Sequence, residues 1–188
     1  MIYNELIGIF WLIFLGYWLV SALGAKKNLH KKSWRKHVWF RILILVMLLL
    51  WFRVPLSQKL DLYQETSSFN PIVNSIGVLL CGAGIAFAIW ARRHLGRNWG
   101  MPMSVKEAPE LVMTGPYAYV RHPIYTGIIF AILGSALGSS VVWLIPFIGS
   151  CVYFTYSARV EEKIMIEQFP HEYPPYQRRT KMLIPFLF

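Results

Sequence analysis

Charged residues are scarce in this chain of 188 residues: they make up 15% of it, whereas 56% of it is hydrophobic. Soluble globular domains carry about 25% charged residues. Several apolar runs also have roughly the length needed to cross ~30 Å of hydrocarbon. The composition therefore excludes an ordinary soluble domain and predicts a multi-pass integral membrane protein.

Cysteines and acidic residues are also few. The two cysteines, Cys81 and Cys151, each lie inside an apolar run with no second thiol or histidine at metal-ligand spacing, so we interpret them as packing residues and predict no metal site. Nine acidic residues against 19 Lys and Arg give a net charge of +10. The basic residues flank the apolar runs, a pattern that indicates membrane topology rather than a nucleic-acid partner.

The predicted fold class is an all-α polytopic membrane protein with about five transmembrane helices. They cover residues 6–25, 38–54, 72–91, 124–140 and 141–160, the last continuing to about residue 168. The first span follows no basic segment and is interpreted as retained rather than cleaved. Its Gly8 and Gly16 favour close approach by another helix, and the many small residues of the third span favour a central position.

Charge predicts the orientation. Six basic residues and no acid lie in the segment 26–36, which places this loop in the cytoplasm and the amino terminus outside. The short connection at 138–140 predicts an antiparallel helical hairpin, so the carboxy terminus is also expected to be cytoplasmic. The chain then divides into residues 1–91, with the first three spans, and residues 92–188, with the hairpin, the tail and the expected site.

Chemistry-bearing residues concentrate in the segment 110–125, which reads Glu-Leu-Val-Met-Thr-Gly-Pro-Tyr-Ala-Tyr-Val-Arg-His-Pro-Ile-Tyr. The hairpin brings its end close to the end of the fifth span, where Glu162 can pair with Arg159 on one helix face. We therefore predict one pocket at the cytoplasmic boundary. Its members are Arg121, His122, Tyr125, Arg159, Glu161 and Glu162. Interface anchors and solvated ion pairs are the alternative interpretation.

These motifs resemble the isoprenylcysteine carboxyl methyltransferase family and the wider group of phospholipid methyltransferases. The resemblance lies in Arg-His-Pro-Ile-Tyr-Thr-Gly, in the downstream Glu-Glu pair, and in Phe-Pro-His-Glu-Tyr-Pro-Pro-Tyr before a final Leu-Ile-Pro, over about residues 95–188. It implies an S-adenosylmethionine-dependent methyltransferase of the cytoplasmic face. The implied reaction is carboxyl O-methylation of an isoprenylcysteine-like or other amphiphilic acceptor that arrives from the lipid bilayer.

The resemblance also implies the site residues. The cofactor pocket is expected to contain Glu110, Leu111, Val112, Tyr117, His122, Pro123, Ile124, Tyr125 and Glu161, with the carbonyl of Pro109. The residues assigned to catalysis are Arg121, Arg159 and Glu162. Ser157 stands where the family has a substrate-associated Arg, a role that Arg159 is expected to take over, and Pro170 replaces the family's usual Gly.

Other functions remain open at this point. S-adenosylmethionine needs hydrogen-bond acceptors, a cation and aromatic faces, and the segment supplies all three. The acceptor could instead be a phospholipid amine or a small thiol. A non-catalytic transporter or assembly protein is the alternative of another class. The glycine-rich third span suits internal packing and dimerisation equally, so the oligomeric state is left open.

Overall fold

Five α-helices make up most of the computed structural model, which describes residues 2–22, 70–99 and 110–184. The helices are α1 Ile2–Ala22, α2 Pro71–Leu95, α3 Pro123–Gly138, α4 Leu144–Gln168 and α5 Tyr173–Arg179, with 3-10 turns at Gly96–Asn98, Gly115–Ala118 and Val141–Trp143. The all-helical prediction is confirmed for these residues. The predicted second span 38–54, the basic loop 26–36 and Pro109 lie outside them.

Three stretches are long and apolar enough to cross a membrane: Ile2–Ser21, Pro71–Leu95 and Val141–Gln168. They correspond to the first, third and fifth predicted spans, and α4 reaches Gln168 as predicted. Helix α3, the predicted fourth span, is a shorter apolar helix of 16 residues, against the ~20 that a hydrocarbon core requires. Length and composition thus identify three candidate spans within the described residues.

The closest helix contact joins α2 to α3 through small residues. A Cβ added at Gly84 would lie 2.6 Å from the backbone nitrogen of Ala131 and from the backbone oxygen of Gly127. Gly77, Gly127 and Gly134 are blocked by the facing backbone in the same way, and a Cβ at Gly138 would lie 2.9 Å from the Ile7 side chain and 3.0 Å from the backbone nitrogen of Val78. Only residues without a Cβ permit such an approach, so the small residues of this span serve close helix packing.

Helix α1 packs on this pair by side chains rather than by glycine. Nothing described lies within 4 Å of a Cβ built at Gly8 or Gly16, so the predicted close approach at these glycines is not observed. Trp11 Nε1 instead donates to Ser135 Oγ of α3 at 3.1 Å. At the other end of α1, buried Arg92 of α2 donates through Nη2 to the carbonyl of Ser21 at 2.6 Å.

Local signals explain where the helices begin and end. Asn70 caps α2 by accepting a hydrogen bond from the Ile72 nitrogen at 3.0 Å, and Gly96, with φ of 55°, ends it. Pro123 opens α3 as predicted, since proline suits a first helical turn. The chain reverses at Ser139 and Ser140 and forms the predicted antiparallel hairpin. The hairpin brings the start of α3 beside the end of α4.

The glycine contact gives a test of packing. Gly84→Ala is expected to destabilise the protein by about 1–3 kcal/mol, because its methyl group must push the α3 backbone away. Gly16→Ala is the matched control: no described atom lies within 4 Å of a Cβ at this position, so the variant should be neutral or slightly stabilising. Thermal unfolding of the detergent-purified variants measures both. Equal midpoints for the two variants would contradict the packing described.

Candidate functional site

The predicted pocket forms where the start of α3 meets the end of α4. Tyr125 Oη donates to Glu161 Oε1 at 2.5 Å, and His122 Nδ1 lies 3.5 Å from Glu161 Oε2. The imidazole of His122 stacks on the Tyr125 ring, with centroids 5.5 Å apart and planes 4° from parallel. The structure therefore brings together the basic, aromatic and acidic residues that are about 36 to 41 positions apart in sequence.

A buried ion pair stands beside this group. Arg121 Nε donates to Glu162 Oε1 at 2.6 Å, and each side chain is 10% exposed. Arg121 Nη1 also donates to the carbonyls of Gln177, at 3.0 Å, and Thr180. Gln177 Nε2 in turn donates to Glu162 Oε2 at 2.8 Å. Arg121 thus connects α3, α4 and the segment after α4 through charge-assisted hydrogen bonds.

The predicted pair between Arg159 and Glu162 is wrong. Glu162 faces inward to Arg121, whereas Arg159 is exposed and makes no hydrogen bond or ion pair with any other part of the chain that the structure describes. A helix-surface pair contributes only a few tenths of a kcal/mol, so a buried partner that also satisfies other groups displaces it.

His122 is held between two carboxylates. Its Nε2 lies 3.5 Å from Glu162 Oε1 and has no hydrogen-bond partner among the described residues. Burial by itself lowers the pKa of an imidazole, but hydrogen bonding and attraction to Glu161 and Glu162 outweigh burial and raise the pKa of His122 above its usual 6.5. The ring therefore favours the cationic form.

The chain after α4 folds back over the site. Backbone nitrogens of Arg121 and His122 donate to the carbonyls of Lys181, at 2.9 Å, and Met182, at 3.1 Å. Tyr176 Oη donates to the carbonyl of Tyr117 at 2.6 Å, and burial raises the pKa of Tyr176 to about 12, which keeps this donor protonated. The described part of the tail is therefore packed against the protein's own site.

The loop before α3 rests on the end of α2. His94 Nε2 lies 2.8 Å from Thr114 Oγ1, and Gly115, with φ of 60°, passes so close to the His94 ring that a Cβ would lie 2.7 Å from Cε1. Asn98 Nδ2 donates to Glu110 Oε2 at 3.2 Å. These contacts place Glu110 beside the site.

A cavity of about 320 Å³ lies between these elements. Every described residue predicted to bind the cofactor lines it except Pro123, which is buried in the first turn of α3. Arg121 lines the cavity too, but Glu162 and Arg159 do not. The cavity-lining members of the prediction are Glu110, Leu111, Val112, Tyr117, His122, Ile124, Tyr125 and Glu161.

The other half of the cavity wall was not predicted from the sequence. It consists of Trp18, Leu95, Asn98, Trp99, Ile128, Phe154, Ile164, Met165, Gln168, Tyr173 and Tyr176. Most are apolar residues of membrane-length helices, where a side chain that faces a cavity has the same pattern as one that faces lipid. Tyr173 and Tyr176 lie in the Pro-His-Glu-Tyr-Pro-Pro-Tyr motif, which was a usable signal for a role in the site.

Carboxylates, an imidazole and aromatic rings around a cavity of this volume are typical of a small-molecule site, for which about 300–1,000 Å³ is usual. Fold and site together define an integral membrane protein with an interior small-molecule cavity where α2, α3 and α4 meet. The chain belongs to the phospholipid methyltransferase family, whose profile matches residues 73–172. This match runs from α2 to the residues just before α5 and confirms the family resemblance of the motifs.

Individual relatives agree with the family. Protein-S-isoprenylcysteine O-methyltransferase of Saccharomyces cerevisiae is 37% identical over 118 residues, which are 60% of this chain and 48% of that protein. Nickel-cobalt-cadmium resistance protein NccN of Alcaligenes xylosoxydans xylosoxydans is 32% identical over 96 residues, 50% of this chain and 45% of that protein. Methanethiol S-methyltransferase 1 of Bradyrhizobium diazoefficiens is 34% identical over 70 residues, 37% of this chain and 24% of that protein.

A solved structure of the eukaryotic intramembrane Ras methyltransferase, isoprenylcysteine carboxyl methyltransferase, shares the fold. Its TM-score is 0.55 at 19% identity, and the match covers 85% of this chain and 55% of that one. The chain spans about half the length of the resistance and yeast relatives.

The ion pair predicts a stability effect. Arg121→Ala is expected to cost about 3–5 kcal/mol, because it leaves the buried Glu162 carboxylate without its cation and the tail carbonyls without a donor. Arg159→Ala is the control on the neighbouring helix surface and should change stability by about 0.5 kcal/mol or less. Unfolding in mixed micelles measures both. If the two variants lost stability equally, Arg121 would not hold the site together.

His122 predicts a pH dependence. Because its folded pKa is raised, the protonated ring adds stability that is fully present below pH 6.5 and is lost as pH rises through the folded pKa. As the pH rises through this range, the thermal midpoint of the wild type should therefore fall, and that of His122→Gln should fall less. Midpoints recorded from pH 6 upward in one detergent provide the comparison. Parallel curves would show that folding does not raise the pKa of His122.

Proposed function

We propose that the protein is an integral membrane methyltransferase that uses S-adenosylmethionine as its methyl donor. The observation that carries the proposal is the convergence of Glu110, His122, Tyr125 and Glu161 around one cavity. The family and the relatives that are named methyltransferases support a methyl-transfer reaction.

The residues present fit the donor. S-adenosylmethionine carries an ammonium, a sulfonium, ribose hydroxyls, an adenine and a carboxylate. Glu110 and Glu161 offer acceptors for the ammonium or ribose, and Arg121, which also lines the cavity, offers a cation for the carboxylate. The faces of Tyr117 and Tyr125 suit the sulfonium or the adenine. When bound, the donor supplies an electrophilic methyl group.

The protein's own contribution is alignment and exclusion of water. Tyr125 and His122 fix the Glu161 carboxylate from two sides, so this acceptor is oriented before any ligand arrives. The tail covers the loop that carries Tyr117 and Arg121. An acceptor that is already a carboxylate or thiolate needs no base, so positioning and desolvation of the nucleophile account for the catalysis.

Glu162 and Arg121 then act through their neighbours. Glu162 does not line the cavity but holds Arg121 and lies 3.5 Å from His122, so we assign it a positioning role in place of direct catalysis. Arg121 lines the cavity while bound to Glu162. Arg159, exposed and outside the cavity, is proposed to attract an anionic acceptor at the protein surface.

The proposed orientation places the site at the cytoplasmic face, with the amino terminus outside and five spans in all. Exposed basic residues at the site's end of the bundle support it, because cytoplasmic segments are enriched in Lys and Arg. They are Arg159, Lys163, Arg178, Arg179 and Lys181. The division into residues 1–91 and 92–188 describes the sequence only, since Trp18 of the first region also lines the cavity.

For the acceptor we propose carboxyl O-methylation of an amphiphilic, isoprenylcysteine-like molecule that enters from the bilayer. The yeast relative is named for this reaction, and the apolar part of the cavity wall suits an acceptor with an apolar group. S-methylation of a small thiol is the second candidate, supported by relatives named methanethiol S-methyltransferase. The products distinguish the two candidate reactions, since a methyl ester releases methanol in base and a thioether does not.

Donor binding tests the proposal directly. Calorimetry on the purified wild type should show saturable binding of S-adenosylmethionine and S-adenosylhomocysteine, and Glu161→Ala should weaken it roughly tenfold or more, about 1.4 kcal/mol, because an oriented acceptor is lost. Glu167→Ala removes an exposed carboxylate from the same helix and should bind like the wild type. A folded wild type that binds neither compound would favour a non-catalytic membrane protein.

A further inference from the structure

We propose that Trp18 of α1 is a specificity-determining residue, forming the wall that limits how long an apolar chain the acceptor can carry. This inference rests on the proposed methyl transfer. It gives a function to a helix that precedes the residues matched by the family profile, which begin at residue 73. Among the described residues of α1, Trp18 alone lines the cavity.

The position of Trp18 is set by aromatic contacts on two sides. Its ring stacks on Phe14, one turn earlier, with centroids 4.5 Å apart and planes 27° from parallel. It meets the Trp99 ring edge to face, at 6.0 Å and 87°. Trp99 also lines the cavity, so two indole rings in contact form one continuous part of the wall.

A buried cation fixes this pair of rings. The Arg92 guanidinium carbon lies 4.5 Å from the Trp99 ring centroid. Arg92 Nη1 donates to the carbonyl of Gly96 at 2.7 Å, and Nη2 donates to the carbonyl of Ser21 at the end of α1. The end of α1 and the turn that carries Trp99 are therefore held by one side chain, which is 3% exposed. Moving Trp18 away from Trp99 would disturb this buried network.

The residue types of the cavity wall indicate which side contacts the donor and which side contacts the acceptor. The carboxylates and the imidazole of the cavity come from the loop before α3, from the residue preceding α3 and from α4. Helix α1 adds an indole and no charge, and the neighbouring aliphatic and aromatic lining includes Leu95, Ile128 and Phe154. A polar donor suits the charged part, so the apolar group of an acceptor is left to pack against Trp18. A cavity of about 320 Å³ is near the lower limit for a small-molecule site, so the donor fills most of it and one fixed indole can determine the longest chain that fits beside the donor.

Two series of probes test the inference on the full-length protein saturated with S-adenosylhomocysteine. One is n-alkanethiols and the other N-acetyl-S-alkylcysteines, each with chains from two to twelve carbons, and binding is measured by calorimetry. Wild-type affinity should rise roughly fourfold per methylene and then fall at a limiting length. Trp18→Ala should bind the first chain that the wild type rejects at least roughly tenfold more tightly.

Trp90→Ala is the matched control, because Trp90 is 48% exposed and does not line the cavity; its limiting length should equal that of the wild type. Should Trp18→Ala not fold, Trp18→Phe enlarges the cavity less and should shift the limit in the same direction.

The inference is overturned if the limiting length is unchanged in the folded Trp18 variant, if neither series binds to the wild type, or if that variant loses S-adenosylhomocysteine instead, which would place Trp18 at the donor. A wild type that does not bind S-adenosylhomocysteine at all would overturn the proposed function itself.

Discussion

Arg121 and Glu162 carry opposite charges on side chains that are each only 10% exposed, and neither charge is tolerable there without the other. Removing two ions from water costs several kcal/mol each, which their attraction offsets only when the remaining donors and acceptors are also satisfied. Here Gln177 and two tail carbonyls complete the set. The pair therefore fixes the start of α3, the end of α4 and the tail in one arrangement, and that arrangement orients His122 and Glu161.

Close packing of α2 on α3 is the second constraint. Because glycines bring the two backbones into contact, the start of α3 lies against the end of α2. The loop before α3 is held by His94 and Asn98 of that same end. Glu110 and His122 thus reach one cavity although they belong to different segments. The glycine contacts between α2 and α3 therefore help to set the geometry of the charged site.

The sequence predicted the site from residues whose placement at a membrane boundary costs free energy unless they have a partner or a ligand. Carboxylates at a membrane boundary and an Arg-His-Pro segment before an apolar helix predicted the pocket, and the hairpin predicted its assembly. Arg159 was paired wrongly with Glu162, because helix spacing allows this pair and only the fold reveals Arg121 as the better partner. Apolar residues such as Trp18 and Phe154 could not be predicted, since lipid and cavity select the same side chains.

The hydrogen bonds from Arg121 to Thr180 and from Tyr176 to Tyr117 each join residues 59 positions apart, and both belong to the last part of the described chain. Chains emerge from the ribosome amino end first, and their segments begin to fold in that order. The three candidate spans, in α1, α2 and α4, can therefore enter the bilayer while the site is still incomplete. During biosynthesis, membrane insertion and formation of the cavity are separate events, and a chain interrupted before Thr180 would be inserted but would lack the tail that completes the site.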